Sequence, residues 1–139
     1  MSKIDPVRVK DVMTDHYNLV DGLMMTDQAL AKMQEAGAHV LIVDKRDNND
    51  EYGIVLLSDI ARNVLAVNRA PERVNIYEIM SKPVVGVAPD MDIRYCARMF
   101  NTLGFSYAPV IENGKLLGIV GYRDLLLKGL IQHSQVRNS

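Results

Sequence analysis

The spacing of apolar positions changes several times along the chain, and each change predicts an element. Residues 9–14, VKDVMT, form a short helical turn that presents Val12 and Met13 to a core. Residues 17–20 form a short strand, closed by Asp21-Gly22. Ala29, Leu30, Met33 and Ala36 then recur at helical spacing. With Thr26 as N-cap, Asp27 in the first turn and Gly37 as a left-handed stop, they predict a helix over 27–36. The unbroken run HVLIV at 39–43 has the branched, continuous character of a strand covered on both faces. A polar loop, DKRDNNDE, follows, then a returning strand at 52–57 and a helix from Asp59 to about Val67 capped by Ser58.

The stretch NRAPER, with Pro71, marks a boundary, and beyond it the order of elements recurs. Asn75 and Glu78 make a capping box over IYEIM. A strand at 84–87 leads to Pro89-Asp90, which opens a helix with Ile93, Ala97, Phe100 and Leu103 as its buried stripe and Gly104 as its end. Strands at 107–111 and 116–121 flank Asn113-Gly114, a two-residue hairpin signal. Tyr122 or Arg123 then opens a last helix that runs to about His133 before a polar tail.

The recurrence is also literal. GIVLLSDI begins at Gly53 and GIVGYRDL at Gly118, an offset of 65 that Asp59 and Asp124 share. Val12-Met13-Thr14 and Ile79-Met80-Ser81 are offset by 67. A period this long means tandem supersecondary units, not a solenoid of short repeats. Each copy reads strand, helix, strand, strand, helix. The expected fold is α/β (α+β), two β-α-β-β-α units with small sheets packed face to face and helices outside. The first copy, with its lead-in and linker, spans 1–73, and the second, with its tail, 74–139. Asp59 and Asp124 each fall in a first helical turn, where a carboxylate complements the helix dipole and accepts free N–H groups.

Charge and composition narrow the function classes. Among 139 residues, 16 basic and 17 acidic side chains leave a net charge of −1, so nothing draws the chain toward nucleic acid or an anionic membrane. No stretch approaches the roughly 20 apolar residues of a membrane span. The N-terminus lacks the apolar run of a signal peptide. The one cysteine, Cys96, excludes an internal disulfide and sits on a predicted helix face as packing. Together these features predict a cytoplasmic protein. The loop at 44–51 is rich in Asp and Asn, but the Gly that a calcium loop needs at its sixth position is replaced by Tyr52, counting from Asp47. His16, His39 and His133 share no metal-ligand spacing. No spacing brings a nucleophile, a base and an oxyanion site together, so no enzyme is expected, and no cofactor is required. The eight methionines fall mostly on predicted apolar faces as core filler.

Two β-α-β-β-α copies, each opened by a Val/Ile-Met-Ser/Thr turn and closed by GIV with an Asp four residues after the Val, resemble a tandem pair of CBS domains, or Bateman module. The resemblance covers about Val9 to Leu130. It implies a regulatory, energy-sensing module that binds an adenosine-containing ligand in clefts between the repeats and signals to a partner protein, itself forming a homodimer through its outer helices. Carried over residue by residue, it makes Asp59 and Asp124 the ribose acceptors. His39 and Val40, and Tyr107 and Ala108, stand at the adenine edge, and Val20, Val85, Ile54 and Ile119 form apolar walls. A diol offers two donors that one carboxylate accepts, and a purine suits an apolar slot with a few polar groups. Where the family places Ser or Thr directly after GIV, this chain has Leu56 and Gly121. Ser58 offers a hydroxyl one residue before Asp59, out of the usual place, and Arg123 offers a guanidinium able to hold a phosphate bidentately. These differences rank the Asp124 site above the Asp59 site. AMP, ADP, ATP, S-adenosylmethionine, NAD and cyclic dinucleotides all remain candidates. A pair without ligand, serving as a dimerisation or docking scaffold, is the competing expectation.

Overall fold

The computed structural model describes residues 6–82 and 85–132. In chain order the elements are α1 (Val9–Val12), β1 (Leu19–Val20), α2 (Thr26–Ala36), β2 (Val40–Val43), β3 (Gly53–Leu56), α3 (Leu57–Ile60), α4 (Ile93–Leu103), β4 (Tyr107–Glu112), β5 (Lys115–Gly121) and α5 (Asp124–Gln132). The helix α3 runs on into a π-helical turn, Ala61–Leu65, and α5 is π-wound throughout. The mixed α/β class is as the sequence predicts. Two compact units form, one from residues 17–82 and one from residues 6–16 with 85–132.

In the unit of residues 17–82, the sheet order is β1-β2-β3, with β1 parallel and β3 antiparallel to β2. The parallel pair needs a crossover, and α2 supplies it. Leu41, Ile42 and Val43 of β2 are all buried, as the unbroken apolar run foretold, and Leu41 and Val43 pack with Ala29, Met33, Val55 and Ile76. Gly37 closes α2 at φ 63°, in the left-handed region.

Two predicted caps are corrected. Thr26 lies inside α2, behind Met25, whose N–H donates to Gln28 Oε1 at 3.1 Å. The Thr26 hydroxyl turns inward and donates to the Val74 carbonyl at 2.8 Å, so a buried tertiary acceptor takes the group that a local cap would use. Ser58 is likewise exposed inside α3, and the Asp59 carboxylate does the capping by accepting the Leu56 N–H at 2.8 Å. The helix predicted for 59–67 therefore begins at Leu57.

In the other unit, β4 and β5 pair antiparallel with an irregularity between Val110 and Ile111. Asn113 and Gly114, at φ 53° and 77°, make the predicted hairpin turn, which requires positive φ at both positions. Phe100, Cys96, Val87, Val110 and Val120 are buried together with Val9 and Val12 of α1. On α4 the buried stripe ends at Phe100, for Leu103 is half exposed. Of the strand predicted at 84–87, Val84 lies outside the described residues, Val85 is exposed, and Val87 makes one parallel bridge to Val110.

Each Met-Thr or Met-Ser turn is bonded to the closing strand of the other sequence copy. Thr14 and Ile119 exchange N–H to carbonyl bonds of 2.8 and 2.9 Å, and Ile54 and Ser81 exchange bonds of 3.0 and 2.9 Å. This approach leaves little room at the glycine that opens each GIV motif, least of all at Gly118, where the obstacle is backbone. A Cβ on Gly118 would stand 2.6 Å from the Thr14 carbonyl oxygen, and one on Gly53 2.7 Å from Met80 Sδ.

Candidate ligand site

The two carboxylates are built in the same way. A strand ends, the chain turns into a helix, and the Asp three residues on reaches back to the last strand N–H. In the unit of residues 17–82, Asp59 Oδ2 accepts from Leu56 N at 2.8 Å, and Oδ1 accepts from Arg62 Nη2 at 3.2 Å. In the other unit, Asp124 Oδ2 accepts from Gly121 N at 2.9 Å. Its Oδ1 takes two partners, the Thr14 hydroxyl at 3.0 Å and Lys128 Nζ at 3.0 Å, and Lys128 Nζ also lies 3.3 Å from Thr14 Oγ1. Helix N-termini favour such carboxylates, and their charge shortens and strengthens the bonds.

The strand register places the residues expected at the adenine edge next to each turn. Tyr107 is opposite Gly121 and Ala108 opposite Val120, while Val40 is opposite Leu56 and the His39 carbonyl accepts the Leu57 N–H at 2.9 Å. Ala108 is buried, Tyr107 and Val40 are half-buried, and the His39 side chain is exposed. Ile54 and Ile119 are core residues of the two closing strands, each fastened by the turn described above. Val20 is buried beside Val43, at the end of β2 remote from Val40. Val85, Arg123 and Ser58 are exposed.

Sequence reasoning overlooked Thr14, Lys128 and Arg62. The spacing of Arg62 and Lys128, three and four residues after their Asp, was a usable signal, because such pairs face one another on a helix. Thr14 stands in the repeated Val-Met-Thr turn, but nothing local announces its partner, Asp124, 110 residues away. The position after GIV also acquires a physical reason in the second copy. A Cβ on Gly121 would come within 2.7 Å of Tyr107 Cε1, so the Tyr107 ring fills the space of the family's hydroxyl-bearing side chain.

Two concavities of about 440 and 410 Å³ open on the unit of residues 17–82. The larger includes Val20, Lys45, Arg46 and Tyr77 at the far end of β2, and the smaller includes His39 and Leu57; neither is lined by Asp59. The hydrogen-bond pattern of the carboxylates, repeated in both units, defines the candidate site better than these hollows do. In the acidic loop, Asp50 is bonded by Lys82 and Arg46, and the Lys82 ammonium is the chief cause of its carboxyl lying well below the usual range. Among the described residues no group of three or more His, Cys, Asp or Glu is placed to hold a metal ion. Burial pushes the Cys96 thiol up from near 9 to about 11, which suits a packing residue and not a nucleophile. Among the described residues no helix is long and apolar enough to cross a membrane.

The same features recur in known proteins. The family model for the CBS domain matches residues 9–66 and again 76–130. A hexameric CBS-CP12 protein from bloom-forming cyanobacteria superposes with a TM-score of 0.87 at 35% identity, over 91% of this chain and 73% of that one. An uncharacterised protein of Methanopyrus kandleri is 34% identical over 97 residues, 68% of this chain and 48% of that protein, so the chain spans about half the relative's length. The CBS domain pair of protein MJ0100, solved in complex with 5′-methylthioadenosine and S-adenosyl-L-methionine, has the same fold, with a TM-score of 0.77 at 22% identity over 94% of this chain and 99% of that one. With its family model matched in both copies, on motifs whose carboxylates and glycines have a structural reason in each, this chain belongs to the CBS domain family.

Proposed function

We propose that the chain is a regulatory module that binds an adenosine-containing ligand through Asp124 and Asp59 and passes the binding state to a partner protein in the cytoplasm. The observation that carries this reading is the paired geometry. In both units a carboxylate is fixed by the last strand N–H, at 2.8 and 2.9 Å, next to the opening residues of the neighbouring strand. A duplicated acceptor of this kind fits two similar diol-binding positions, and we assign the module a regulatory role on that ground. The adenosine ligands held by a protein of the same fold support the ligand class. Val20, His39, Val40 and Ser58 in the one unit, and Val85, Tyr107, Ala108 and Arg123 in the other, are the further residues we assign to these two positions. The unit of duplication is taken as 1–73 and 74–139. Binding alters the partner only if the ligand distinguishes two states of the module.

A second reading has its own observation. With the Tyr107 ring in the hydroxyl's place and Leu56 at the matching position, a ligand-free pair acting as a dimerisation or docking scaffold is the alternative. Thermal unfolding of the purified chain with millimolar AMP, ADP, ATP, S-adenosylmethionine and NAD separates the two. A ligand at about 100 times its dissociation constant adds roughly 2.7 kcal/mol, a midpoint rise of several degrees. The sensor reading expects such a rise with at least one ligand, reduced more by Asp124→Ala than by Asp59→Ala. A flat response across the panel would leave the scaffold.

A further inference from the structure

The two carboxylate positions are not electrically alike. From Leu57 to Leu65 one cation, Arg62, balances Asp59, and its side chain is 69% exposed. From Gly121 to Gln132 the sequence carries two cations, Arg123 and Lys128, and one carboxylate, Asp124, which Lys128 contacts. Lys128 is also the more sheltered, at 42%, and is held in place by Asp124 Oδ1 and Thr14 Oγ1 at 3.0 and 3.3 Å.

The acceptor arithmetic differs as well. Each carboxylate oxygen has about two lone-pair sites. Asp59 uses one on each oxygen, which leaves one on each for a diol. Asp124 has both sites of Oδ1 filled by Thr14 and Lys128 and keeps room only on Oδ2, which already takes Gly121 N. The Asp124 position is therefore poorer in acceptors and richer in positive charge. Residue 121 cannot contribute a hydroxyl there, because the Tyr107 ring occupies its space.

Building on the adenosine reading above, we infer that Lys128 is a specificity-determining residue that makes the Asp124 site select phosphorylated adenosine ligands over uncharged ones. A lysine ammonium has three donors; among the described residues two point at Asp124 and Thr14, which leaves the third for a phosphate oxygen. Arg123, the exposed residue just before Asp124, adds a second cation to this end of the helix. The carboxylate keeps the ammonium in place, so little side-chain entropy is lost when an anion arrives.

Calorimetry on the full chain carrying Asp59→Ala, so that the Asp124 site is read alone, compares ADP with uncharged 5′-methylthioadenosine. ADP is expected to bind at least tenfold more tightly, with an affinity that falls as salt is raised. Lys128→Met should shrink the ratio of the two dissociation constants by about tenfold, and Lys128→Arg should keep it. Weakening of both ligands by the same factor in Lys128→Met would overturn the inference, since Lys128 would then merely hold Asp124. Binding of 5′-methylthioadenosine without an ADP preference also overturns it while leaving the adenosine reading intact. Absence of binding by either compound, in this variant and in the unmodified chain alike, removes both.

Discussion

The Tyr107 and Gly121 pair shows how one residue's identity is dictated by another's ring. Opposite one another in β4 and β5, they leave no room for a side chain at 121, with Cε1 and Cδ1 of the ring at 2.7 and 2.8 Å from where a Cβ would stand. Restoring the hydroxyl by Gly121→Ser should therefore destabilise the fold by about 1 to 3 kcal/mol, the range for overpacking a filled site. In the Tyr107→Ala background the same change should cost much less, and urea unfolding of the four proteins in the cycle reads that coupling. Additive costs would mean that the ring yields freely. The sequence showed only that Gly121 departs from the usual motif; its cause lies on the neighbouring strand.

Elements carry the next set of constraints. The helix α4 is anchored at its start by Asp92, whose carboxylate accepts the Arg94 N–H at 2.8 Å. The Arg94 guanidinium beside it holds that carboxyl down at about 2. Further along the same helix, Cys96 and Phe100 are completely buried. The Cys96 thiol, pushed to about 11 by burial, ionises near 9 once the chain unfolds. Because its folded value is the higher one, its contribution to stability is complete below pH 9 and is lost as the pH rises toward 11. Urea titrations at pH 8 and pH 10.5 should show Cys96→Ala losing less stability than the unmodified chain over that interval. An equal loss in both proteins would place the alkaline sensitivity elsewhere. The element pattern itself was legible, because apolar periodicity and the Gly37, Gly104 and Asn113-Gly114 signals act within a few residues. The caps were less so, since Thr26 found a buried carbonyl 48 residues away.

At the scale of the whole molecule, exposed apolar residues are the feature that a single chain leaves unresolved. Leu126, Leu127, Leu130 and Ile131 on α5 are each about half exposed, and Leu57 and Leu65 near Asp59 are 41% and 79% exposed. Exposed apolar side chains grouped on one helix, as on α5, are a mark of association. The 35%-identical cyanobacterial CBS-CP12 protein is hexameric, which agrees with assembly in this family. We expect the chain to form homodimers through these helices. Equilibrium sedimentation at micromolar concentration should return a mass well above the 15.6 kDa of one chain, and Leu126→Glu with Leu130→Glu should bring it back to that value. A single-chain mass for the unmodified protein would refute this.

The duplication, the class of the fold, most of its elements and the positions of Asp59 and Asp124 are already legible in the sequence. All of these are written in repeats, periodicities and turn residues whose physics is local. Packing alone bonds each opening turn to the other copy's closing strand, sets the Thr14 carbonyl where a side chain at Gly118 would stand, and brings Thr14 and Lys128 together at Asp124. Those facts depend on which residues separated by tens to more than a hundred positions come together. Such contacts leave no periodic trace along the chain, because they are fixed by shape and hydrogen-bond satisfaction in the packed molecule.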